Sequence, residues 1–183
     1  TATLTITING HTDGTPVISI PDANGVTPGQ QTVAETDGPM AGTFTISAQA
    51  GITSVTLGSG GSAVSVSLAE LNNLGTVSKS YTTADGTLTL TGYDAGTGVV
   101  SYTYDPVVHS ANNDVLANIP LTLTDANGVS SSGTLGITIT DSKPVAVADT
   151  ASITEDAVSN TVSGSVLTGA GADTVGADTN ATP

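Results

Sequence analysis

The chain has 183 residues, with thirteen Asp and three Glu against two lysines and no arginine, for a formal net charge of −14. Such a surface cannot neutralise a nucleic-acid backbone, which needs Lys and Arg, and it is repelled by an anionic membrane. There is no cysteine to staple a core that five aromatic residues (Phe44, Tyr81, Tyr93, Tyr102 and Tyr104) leave thin.

No apolar run is long enough for a membrane-spanning helix, and no signal-peptide pattern opens the chain. The start inside a strand-like run leads us to expect an interior piece of something longer.

In chain order, the dominant pattern is alternation. Threonine (33) and serine (19) are the commonest polar residues, and β-branched Thr suits a half-exposed pleated surface. Alternating runs stand at 3–8 ("TLTITI"), 42–47 ("GTFTIS"), 52–57 ("ITSVTL") and 63–68 ("AVSVSL"). More follow at 87–93 ("TLTLTGY"), 99–104 ("VVSYTY"), 120–125 ("PLTLTD") and 134–140 ("TLGITIT"). Each puts apolar side chains on one face and hydroxyls on the other, the period-2 mark of an antiparallel strand.

Turn signals separate these runs: "DANG" at 22–25 and 125–128, "DG" at 85–86, "DAGTG" at 94–98, and "GSGGS" at 58–62 as a hairpin turn. One segment, "SLAELNNLG" at 67–75, predicts a helix of one or two turns, with Ser67 as N-cap, Glu70 three residues on and a Gly stop. "TVSGSVL" at 161–167 reads as one more strand before a Gly-rich loop. Many short strands at this spacing predict an all-β fold, an antiparallel β-sandwich.

A repeat underlies the pattern. A shift of 128 residues superposes Pro16 on Pro144, Asp13 on Asp141 and Val17 on Val145. The strands before them, "TITI" at 5–8 and "ITIT" at 137–140, then correspond, with about three extra residues in the first linker. One full unit is thus expected over 12–141. Residues 1–11 would be the last strand of an upstream unit, and 142–183 the start of a downstream one. That tail is too small to bury a core alone. It either lies along the main unit or is completed by strand 1–8 of a neighbouring molecule.

The chemistry expected at the joints is that of a hard cation. Asp13 and Asp141 each follow a last strand, with proline three residues further on, and Asp149, Glu155 and Asp156 lie downstream of the second. Asp22 opens the first "DANG" turn. Calcium takes oxygen ligands from carboxylates, carbonyls and water, and binding at clustered acids couples to alignment and folding. The stretch "YDPVVHSANND" at 104–114 reads as a surface loop whose Asp105, Asn112, Asn113 and Asp114 offer oxygens for a second site.

"GAGADTV" at 169–175 is half of a calcium-binding β-roll repeat, without a second copy beside it. His11 and His109 have no Cys or His near them in sequence, which argues against zinc. No nucleophile elbow or phosphate loop is framed, so no enzyme is expected.

The blocks "GTFTISAQAGITSVTLG" (42–58), "LAELNNLGT" (68–76), "GTLTLTGYDAGTGVVSYTYD" (86–105) and "IPLTLTDANGVSSSGTLGITITDSKPVAVAD" (119–149) carry a resemblance. In this order and spacing the chain resembles the tandem repeat of giant biofilm-associated bacterial adhesins of the RTX type, exported by type I secretion.

The resemblance implies an immunoglobulin-like β-sandwich. It also implies an extender module on the bacterial cell surface, Ca2+ at the inter-repeat joints, and neighbouring repeats of the same chain as partners. A second implied role is binding of a glycan or other surface ligand, for which Tyr102, Tyr104 and the loop after Asp105 are the candidates. The resembled linker commonly carries adjacent acids before its proline. Here the residues are Asp141, Ser142 and Lys143, so one acid is replaced.

Overall fold

The computed structural model describes residues 2–4, 6–7, 13–25, 27–110, 113–156, 158, 161–169 and 171–177. Expectations that fall on Thr5, Ile8, His11 and Asn112 lie outside these residues. Among the described residues, ten strands and one α-helix form in chain order. They are β1 (Val17–Ser19), β2 (Gln31–Ala34), β3 (Met40–Ser47), β4 (Ile52–Leu57), β5 (Val64–Ser67), α1 (Leu68–Leu71), β6 (Lys79–Thr82), β7 (Gly86–Asp94), β8 (Val99–Pro106), β9 (Val115–Asp125) and β10 (Ser130–Thr140), with one 3-10 turn (Gly60–Ser62) between β4 and β5. They build two five-stranded sheets, β1-β3-β8-β7-β6 and β2-β10-β9-β4-β5. Every strand pair is antiparallel except β2 with β10, which is parallel. The fold is an all-β immunoglobulin-like sandwich.

Alternation explains which side chains fill it. Val100, Tyr102 and Tyr104 of β8 and Ile119, Leu121 and Leu123 of β9 are buried, while the residues between them are more exposed. Phe44 and Ile46 of β3 and Leu135, Ile137 and Ile139 of β10 join the same cluster. Gly42 faces Tyr102 across the β3–β8 pair, and a Cβ there would collide with the phenol ring.

The helix forms where its sequence predicts, but it ends at Leu71 with Asn72 as its C-cap and not at Gly75. Ser67 and Glu70 make a complete capping box. The Glu70 carboxyl is held down at about 2, chiefly by Lys79 and then by the Ser67 amide and hydroxyl. No helix among the described residues is long and apolar enough to cross a membrane.

Three expected features differ. Of the run at 3–8, the described residues Thr3, Leu4, Ile6 and Thr7 are exposed and form no strand. Residues 161–167 form none either. Alternation makes a strand only where a sheet edge receives it, and neither segment meets one. Tyr104, Asp105 and Pro106 belong to β8, so the loop expected over 104–114 begins only at residue 107. The strands β2 and β6, four residues each and of mixed character, carry no alternating run to betray them.

Strand register sets the direction of the unit. Val17 pairs with Ser47, and Ala126 donates to the Gly51 carbonyl, so β1 starts beside the β9–β10 turn. β10 runs from that turn to Thr140, which pairs with Ala34 at the other end. With 11 residues in β10, entry and exit lie about 35 Å apart.

Candidate functional site

Of the candidate residues, Asp13 and Asp141 fall at these two ends. At the entry, the Asn127 side-chain amide donates to Asp13 Oδ2 at 3.0 Å. The Gly14 amide donates to Gln49 Oε1 at 3.0 Å. Asp125 is buried below them, and its Oδ1 accepts from the amides of Asn127 and Val129, which shapes the turn that presents Asn127.

The exit is built around Glu35, which the sequence reading passes over. Glu35 follows β2 and is 3% exposed. Its amide donates to the Thr140 carbonyl, continuing the β2–β10 ladder by one residue. Its Oε1 accepts from the amide and hydroxyl of Ser142, and its Oε2 accepts from the His109 amide. These donors hold its carboxyl below the ordinary glutamate value, the Ser142 hydroxyl most of all. The loop after β8 adds two further ties. His109 Nε2 lies 3.3 Å from Asp85 Oδ1, and Asp114 Oδ1 accepts from the Asp141 amide at 3.1 Å. So β2, β10, the loop 107–114 and the outgoing linker meet at one buried carboxylate.

Other expected ligands are placed elsewhere. Asp22 Oδ1 accepts from the amides of Asn24 and Gly25 and so closes its own turn. Asp105 is exposed on β8, paired with Thr87. Asp149 lies beside Gly171 in the tail, and Glu155 and Asp156 are exposed there. The downstream acids are therefore not gathered around Asp141. Among the described residues, no three His, Asp or Glu side chains are grouped as a metal site. Asp114 with Asp141 at the exit, and Asp13 with Asn127 at the entry, offer oxygen donors of the kind calcium takes. Neither end alone reaches the roughly six to eight that calcium needs.

The tail has its own order. None of its described side chains is buried. Val145 and Thr174 exchange two backbone hydrogen bonds of 2.9 Å in an isolated antiparallel bridge. The shift of 128 carries the Val17–Ser47 pair to 145 and 175, one residue from this bridge. The Ala177 amide donates to Ser142 Oγ at 2.7 Å. The same shift carries Gly14 and Gln49 onto Ser142 and Ala177. Both contacts therefore join positions 35 apart, at equivalent places in the two segments. The tail joins the main unit through Ser142, whose amide and hydroxyl donate to Glu35.

Tyr102 and Tyr104, expected as a stacking surface for a glycan, are 1% and 0% exposed, and burial pushes both phenols up to about 12. Their period-2 positions on β8 put them inside. No family model, no curated protein and no solved structure matches the chain.

Proposed function

We propose that this chain is a calcium-stiffened extender module of a large secreted adhesin on a bacterial cell surface, serving cell adhesion and biofilm formation. One observation carries the reading. The chain enters the sandwich at one end and leaves at the other, with an aspartate at equivalent positions, Asp13 and Asp141, beside each opening. Units joined this way stack head to tail, and length accumulates at about 35 Å or more per unit.

In that stack the exit of one unit faces the entry of the next. Asp141 would occupy, toward the next unit, the place Asp13 takes beside Asn127. The joint would then combine Asp114 and Asp141 with the oxygens of the following β9–β10 turn. A hard divalent cation suits such a set, and Ca2+ bound there removes hinge freedom. The net charge of −14 keeps crowded arrays soluble and self-repelling. The partners are neighbouring repeats. No nucleic acid or membrane insertion enters the role.

A tandem of two units, measured by small-angle scattering in millimolar calcium and in chelator, tests the reading. The expected result is a longer, stiffer particle in calcium. Identical profiles in the two conditions would refute it.

A further inference from the structure

The residue that departs from the acidic linker pattern is tied to both sides of the exit. Ser142 donates its amide and its hydroxyl proton to Glu35 of the sandwich. The same hydroxyl oxygen accepts from the Ala177 amide of the tail. This uses one donor and one acceptor function of a single hydroxyl. Gly176 completes the fit. Its φ of 72° is left-handed, and a Cβ on it would collide with the Ser142 carbonyl.

We propose that Ser142 is a positioning residue that locks the exit joint without metal, by bridging the buried Glu35 carboxylate of one unit to the backbone of the next at Ala177. The inference rests on the reading of residues 141–144 as a joint between units. It adds that the joint has two independent locks, one made by a cation and one by a hydroxyl.

The chemistry at position 142 is restrictive. An aspartate there could accept from Ala177 but has no proton to give Glu35, and it would face a second carboxylate at hydrogen-bond distance. An alanine could do neither. A glycine, which stands at the equivalent position 14, offers only its amide, and at the entry that amide is taken by Gln49. The serine joint is therefore self-locking, and the glycine joint has no hydroxyl bridge to an upstream carboxylate.

Amide hydrogen exchange of the whole chain, read residue by residue in chelator and in calcium, tests this. In chelator, Ala177 should exchange about tenfold more slowly than in Ser142→Ala, the loss expected for one hydrogen bond. Ser142→Thr, which keeps the hydroxyl, should restore the protection. Gly176→Ala should remove it while the exchange of β9 and β10 amides stays unchanged, since Gly176 lies outside the sandwich.

Equal Ala177 exchange in wild type and Ser142→Ala would overturn the proposal. So would protection that exists only in calcium, an outcome that leaves the cation reading standing. Protection that persists in chelator supports this lock whatever calcium does, and leaves the cation to be tested on a tandem of two units.

Discussion

The entry and exit joints carry the same sequence frame, Asp-x-x-Pro, yet are held in different ways. At the entry, Gly14 contributes one amide to the neutral side chain of Gln49, and Asp13 takes one side-chain amide from Asn127. At the exit, Ser142 is gripped by a buried carboxylate on one side and tied to the tail on the other. The difference teaches that two ends with one sequence frame can be fixed by different contacts. The entry contacts lie on the surface, where water competes for each bond. The exit contacts converge on Glu35, where charged hydrogen bonds are stronger and costly to leave unmade.

Several substitutions would break or sharpen this contrast. The largest effect belongs to Glu35→Ala, which strands the Ser142 and His109 donors at once. Chemical denaturation should show a loss of about 2 to 3 kcal/mol, and a loss near zero would mean water replaces the carboxylate without cost.

Acid should act in the same direction. The folded Glu35 carboxyl sits below its ordinary value of 4.5. Its contribution is therefore complete above that value and fades as pH falls through the lower folded one. In chelator, the Ser142 amide should lose protection on acidification below about pH 4.5. The Gly14–Gln49 bond involves no titrating group and should not follow.

Gln49→Ala removes one neutral bond at the entry and should cost about 1 kcal/mol or less by denaturant titration. Asn127→Ala, which removes an exposed partner of Asp13, should cost the least, about 0.5 kcal/mol or below by the same assay.

The sandwich was legible where alternation ran long. The cores of β3, β4, β7, β8, β9 and β10 stand in runs whose apolar members are the buried ones. The cap of α1 was legible because Ser67 and Glu70 stand at the spacing that a capping box requires. The described residues of the segments at 3–8 and 161–167 form no strand for a physical reason: a period-2 pattern states which face would be buried but not whether a sheet is there to bury it. Leu4 and Ile6, 83% and 74% exposed, have no such sheet.

The exit site was half legible. Asp141 and its proline mark the end of β10. Glu35 did not show, because "AETDG" reads as a turn and only tertiary pairing of β2 with β10 carries its carboxylate to the linker. Ser142 looked like a missing acid. Its role depends on Glu35, which is distant in sequence.

The central claim is that a cation joins the two kinds of end, and thermal melting of a tandem of two units in millimolar calcium and then in chelator tests it most directly. For an extracellular-type site near saturation, the account predicts a midpoint raised by about 5 °C or more in calcium, with the shift lost in Asp141→Asn. An unchanged midpoint in both conditions would contradict it and leave Asp13 and Asp141 as solvated linker acids.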